Sequence, residues 1–174
     1  MDTNELCEGI DPKVLLDMFR KVVEVDSPVG YYADIEPVLS RMVGEWGYEM
    51  TWDQKHTGYV RVPGVNAEKC VCVGAHLDTI GFVVRGFNED GTLRVRNLGG
   101  INWASAEGET VSIHCRDGRT VDAQVIANHH SVHVFEDCKQ QPRDEDHMSL
   151  SIIGDVASEA DARALGVTEG AIVG

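Results

Sequence analysis

Several features are missing from this 174-residue chain, and each absence removes a class of protein. No window approaches the ~18 to 20 continuous apolar residues that a bilayer-spanning helix needs, and the N-terminus Met1-Asp2-Thr3-Asn4-Glu5 is acidic where a secretory signal is basic and then apolar. Basic residues are scarce. Fifteen Lys+Arg against 29 Asp+Glu leave a formal net charge of −14, the wrong sign for a surface that must neutralise phosphates, so nucleic acid is excluded as a partner. The sequence also lacks G-x-S-x-G, G-x-G-x-x-G and P-loop patterns, which removes the serine-hydrolase and nucleotide-binding readings. Five cysteines, Cys7, Cys70, Cys72, Cys115 and Cys138, are odd in number and irregularly spaced. That suits reduced thiols and a cytoplasmic location better than a disulfide framework.

What is present is ordinary globular material: 43% hydrophobic and 25% charged residues, enough for one domain or two small ones. Asp11-Pro12 opens a helix with a cap and a proline at its first position, and Leu15, Leu16, Phe19, Val22 and Val23 recur at helical spacing. Ser27-Pro28-Val29-Gly30 breaks it. A second amphipathic helix runs from about Asp34 to Gly47, and short strands are expected at Tyr48 to Trp52 and Tyr59 to Val62. Lys69 to Ala75 is a near-continuous apolar run, the pattern of a strand buried on both faces of a parallel sheet. It leads into His76-Leu77-Asp78, at the strand end where open α/β sheets collect ligands.

Past Asp78 the texture becomes all-β. Ile80 to Phe87 and Thr92 to Leu98 flank Asn88-Glu-Asp-Gly91, a hairpin turn sequence, and the logic repeats around Arg116-Asp-Gly118-Arg119. These strands predict a small barrel or sandwich, with a boundary near residue 79. Glu136 to His147 reads as a mobile surface loop. A further strand is expected at Ser149 to Gly154, then a short helix opened by Ser158-Glu-Ala-Asp161, and last a strand begun at Gly170 to Gly174.

For chemistry, His76-x-Asp78 stands out, because a neutral imidazole is a common metal ligand and a carboxylate two residues on can accept a hydrogen bond from the other ring nitrogen. Spacing alone leaves a plain structural histidine open. His129, His130 and His133 lack cysteine or acidic partners at zinc spacing and fit a barrel-rim or interface role.

Taken in order, Val73-Gly-Ala-His76-Leu-Asp78-Thr-Ile-Gly81-Phe, Asn88 to Gly91, Leu98-Gly-Gly-Ile101, Val111-Ser-Ile-His114 and Asp155 to Gly170 resemble the tetrahedral, dinuclear-metal aminopeptidases, which include glutamyl and deblocking aminopeptidases. The resemblance implies an α/β catalytic domain, with a phosphorylase/hydrolase-like sheet and helices, over residues 1–78. It implies an inserted all-β barrel or PDZ-like dimerisation domain over 79–170, and the start of the return to the catalytic domain at 171–174. His76 matches the first metal ligand and Asp78 the catalytic carboxylate that orients it; Thr79 stands where many members carry Glu. The implied activity is release of N-terminal residues from peptides by water activated between two divalent ions, Zn or Co. The implied assembly is a homo-oligomer in which dimers build toward a dodecamer. In the family the bridging Asp, the general-base Glu and a second His follow the inserted domain, so these 174 residues are expected to be inactive alone. The competing expectation is a non-catalytic self-association module derived from such an enzyme.

Overall fold

The computed structural model describes Gly9 and residues 11–66 and 68–174. The contacts divide the chain into two units, Met1–Asp26 with Tyr32–His76, and Ser27–Tyr31 with Leu77–Gly174. The class is mixed α/β, and its largest feature is a closed six-stranded barrel.

In the first unit, α1 (Pro12–Val23) starts where Asp11 accepts the Lys13 N–H at 2.8 Å, the side-chain cap the sequence signals. Its apolar stripe is bare: α1 buries no residue, and Phe19 is 63% exposed. The second helix, α2 (Ile35–Glu45), buries Ile35 and Leu39. It packs on a two-stranded ribbon, β1 (Met50–Trp52) against β2 (Gly58–Val60), with the Trp52 indole N–H donating to Ser40 Oγ at 3.0 Å. The turn between these strands is built on Asp53, whose Oδ1 accepts the N–H groups of Lys55 and Thr57 at 2.8 and 2.9 Å. Its last corner is His56 at φ 63, a left-handed conformation uncommon outside glycine, with its ring near Tyr32 and Nδ1 2.5 Å from Glu36.

One sequence expectation fails here. Lys69 to Ala75 is not a strand, and Val71 and Val73 are each 91% exposed. A strand inside a parallel sheet exists only through neighbours that pair with both its edges, and among the described residues none pairs with this run.

The second unit holds the core. Strands β3 (Gly81–Phe87), β4 (Leu93–Leu98), β5 (Thr110–His114), β6 (Thr120–Ala127), β7 (Met148–Ile152) and β8 (Ile172–Val173) close in the order β3-β4-β7-β6-β5-β8. Inward positions alternate along β6 and the first half of β4, and Leu93, Val95, Ile113, Ala123, Val125, Leu150 and Val173 are fully buried. Each large aliphatic so enclosed contributes about 1.5–3 kcal/mol of transfer free energy, which makes the barrel the stable part of the chain. Two short helical segments add to this core. A single turn, α3 (Trp103–Ala106), sets Trp103 against Phe82 at 4.8 Å between ring centroids. A short helix, α4 (Glu159–Ala164), inserts Ala162, and Ser158 caps it by accepting the Asp161 N–H while its hydroxyl donates back to Asp161 Oδ2 at 2.7 Å.

Two further segments make contacts that the sequence did not signal. Ile172–Val173 contributes a stave, pairing with β3 on one side and β5 on the other, and barrel closure needs it. The segment Glu136 to His147, a surface loop as expected, also makes specific contacts. Arg143 forms a bidentate pair with Glu107 at 2.6 and 3.1 Å, Arg96 pairs with Glu145, Asn128 Nδ2 donates to the Asp146 carbonyl, and Cys138 is buried. Its charge density serves contacts to the barrel as well as solvation.

Candidate functional site

His76 and Asp78 are both exposed, on a run with no regular structure. What orders the chain there is backbone bonding to a distant segment of the second unit. The Ser27 hydroxyl donates to the Leu77 carbonyl at 3.0 Å, the Thr79 N–H donates to the Ser27 carbonyl at 3.0 Å, and the Ser27 N–H donates to Thr79 Oγ1 at 3.4 Å. Pro28 and Thr79 form an isolated parallel bridge. Ser27 is 1% exposed. Its segment is held in turn by the Tyr31 N–H donating to the Pro28 carbonyl at 2.8 Å and by the Tyr31 ring lying 5.2 Å from that of His114 on β5.

Sequence reasoning treated Ser27-Pro28 only as a helix breaker and missed this clasp. The available signal was slight: a residue before proline is biased to extended backbone, which is the conformation that can pair.

The other candidates resolve differently. His129 stacks on Phe135 at 4.2 Å with 3° between the rings, and its Nδ1 is 2.7 Å from Asp137 Oδ1. His130 Nδ1 lies 3.3 Å from the Ala127 carbonyl, and His133 is exposed. These three build the connection between β6 and β7. Among the described residues, no group of three or more His, Cys, Asp and Glu side chains is arranged to hold a metal ion. Cys70, Cys72, Cys115 and Cys138 are free thiols, and burial, followed by the Asp117 charge, pushes the Cys115 thiol up, leaving it a poor nucleophile. Among the described residues no helix is long and apolar enough to cross a membrane.

The structure is similar to that of a TET aminopeptidase from the marine sediment archaeon Thaumarchaeota archaeon SCGC AB-539-E09, with a TM-score of 0.78 over 91% of this chain and 43% of that one at 19% identity, a likeness of fold. The Pyrococcus horikoshii TET1 peptidase, which can assemble into a tetrahedron or a large octahedral shell, matches with a TM-score of 0.68 over 91% of this chain and 46% of that one at 20% identity. In sequence, the glutamyl aminopeptidase of Lactococcus lactis subsp. cremoris (strain MG1363) is 24% identical over 160 residues, 91% of this chain and 44% of that protein. The family model for M42 glutamyl aminopeptidases matches residues 57–174, and the chain belongs to that family. The chain spans about half the length of the curated relatives it matches.

Proposed function

We propose that this chain is the N-terminal part of a metal-dependent aminopeptidase that releases N-terminal residues from peptides in the cytoplasm. Residues 1–78 would belong to its α/β catalytic domain, and residues 79–170 to an inserted barrel through which copies associate. The carrying observation is the family match across residues 57–174, which takes in His76, Asp78 and the whole barrel. The bare stripe of α1 and the exposed Val71 and Val73 support it, since these are apolar surfaces suited to being covered by more of an α/β domain.

His76 and Asp78 suit a divalent ion in kind but not in number. A catalytic zinc centre takes about three protein ligands, and the described residues do not assemble them. In this reading His76 contributes one imidazole nitrogen to a site completed elsewhere, and Asp78 accepts the proton of its other ring nitrogen, fixing the tautomer. A divalent ion, when bound, supplies a water of lowered pKa. The 174-residue chain alone is therefore expected not to hydrolyse aminoacyl-anilides, with or without Zn²⁺ or Co²⁺. In the protein as its gene encodes it, His76→Ala is expected to abolish that hydrolysis; a variant retaining full kcat/KM would remove His76 from the site.

The incomplete ligand set favours a second reading, a self-association module without catalysis. Metal content decides between them: the encoded protein purified with about two ions per chain supports the enzyme, and one that binds none after Zn²⁺ dialysis supports the module. Association is common to both readings. The tetrahedral and octahedral shells of the Pyrococcus horikoshii relative make a dimer building to a larger shell the expected product, measurable by light scattering.

A further inference from the structure

We propose that Ser27 is a positioning residue for the metal site, acting on Asp78 through the two peptide planes that flank it; the inference rests on His76 and Asp78 belonging to that site. The argument is geometric. The Cα of Asp78 lies between two rigid peptide planes, one containing the Leu77 carbonyl and one containing the Thr79 N–H. Ser27 bonds both: its hydroxyl donates to Leu77 O and its carbonyl accepts from Thr79 N, each at 3.0 Å. With both flanking planes held, the φ and ψ of Asp78 are restricted, and so is the direction in which its Cβ leaves the backbone.

Ser27 is the buried half of the clasp, at 1% exposed, while Leu77 is 39% exposed; losing the Ser27 hydroxyl removes the donor from a part-buried hydrogen bond to the Leu77 carbonyl. The reciprocal bond from Ser27 N to Thr79 Oγ1, at 3.4 Å, and the bridge of Pro28 to Thr79 set the register of the two segments. The Tyr31 contact with His114 links the Ser27 segment to β5. The frame of the barrel thus reaches the Asp78 backbone through one serine.

The test is Zn²⁺ affinity of the protein as its gene encodes it, measured by competition with a chromophoric chelator, with thermal melting recorded alongside. Ser27→Ala is expected to raise the Zn²⁺ Kd by at least about threefold, less than the roughly ten- to hundredfold typical of a group bonded directly to a ligand, because Ser27 acts through Asp78. Val84→Ala, a barrel-core truncation away from the clasp, is the control for general destabilisation and is expected to change Kd by less than about twofold. Thr79→Val removes the hydroxyl acceptor while keeping side-chain shape, and is expected to raise Kd by at least about threefold; it decides the matter if Ser27→Ala does not fold. A folded Ser27→Ala within about twofold of the parent, a Thr79→Val within about twofold where Ser27→Ala fails to fold, or a Val84→Ala that weakens Zn²⁺ as much, overturns the proposal. His76→Ala separates the two layers of argument. If it leaves Zn²⁺ affinity unchanged the metal-site reading falls; if it abolishes binding while Ser27→Ala does not weaken it, only the positioning role falls.

Discussion

Gly81 sits where the backbones of three segments converge. A Cβ built there would lie 2.3 Å from the Val173 carbonyl oxygen and 2.6 Å from Pro28 Cγ, neither of them the end of a flexible side chain. The absent side chain is what lets β8 and the Ser27-Pro28 segment both approach the first residue of β3. Gly81→Ala is expected to destabilise the barrel by about 1–3 kcal/mol, the range for overpacking, read as a lowered denaturant midpoint at unchanged slope. An unchanged midpoint would show that the three segments part without cost. At this scale the sequence was partly legible. His76 and Asp78 were singled out by the family resemblance of the motif around them, spacing alone leaving a plain structural histidine open, whereas Ser27 carried no mark, its hydrogen bond depending on a partner 50 residues away.

The elements divide by what covers them. Strands with in-out alternation bounded by Asp-Gly turns were readable, because alternation and positive-φ turns are local properties that the chain expresses wherever it folds. So was the capping box of α4, in which Ser158 and Asp161 satisfy each other. Lys69 to Ala75 was misread because its pattern describes a burial that other strands must supply. The segment between β6 and β7 was read as a surface loop and is one, though its charge also signals arginine–carboxylate pairing that the sequence did not reveal. Local stability should follow coverage. The amides of β6 and β7 are expected to exchange with deuterium at least about a hundredfold more slowly than those of α1, which buries no side chain. Comparable protection in α1 and β6 would mean that the apolar stripe of the helix is covered in solution.

For the whole molecule, charge sets the response to acid. Asp90 is held below the usual carboxylate range first by the Thr92 hydroxyl, Asp161 by the Ser158 hydroxyl, Asp144 by His147, and Asp117 and Glu169 by the guanidinium groups of Arg119 and Arg163. Each folded pKa lies below its unfolded value, so these contributions are in place above about pH 4 and are lost as pH falls through the lowered folded values. Protonation also relieves the self-repulsion of a chain carrying −14, an effect of opposite sign. Repulsion between exposed charges is screened beyond about 8 Å at physiological salt, while the hydrogen bonds are contacts, so the loss dominates. The melting temperature at about 0.15 M salt is therefore expected to be flat from neutral to about pH 5 and to fall below about pH 4. Asp161→Asn should reduce that fall, and a melting temperature that rises on acidification would show that repulsion governs stability.

The sequence by itself determined whatever is written within one turn or one strand. It set where helices cap, which residues of a strand face inward, where hairpins reverse, and that a histidine and an aspartate would leave the chain two residues apart. Those outcomes depend on dihedral preference and side-chain periodicity, which travel with the local sequence. Tertiary structure decided the rest: that the last residues close the barrel, that an apolar run stays uncovered, that a charged loop is latched, and that a serine far along the chain holds both peptide planes of Asp78. Each of these is a pairing between distant segments, and the free energy of a pairing belongs to both partners, so neither segment's sequence states it alone.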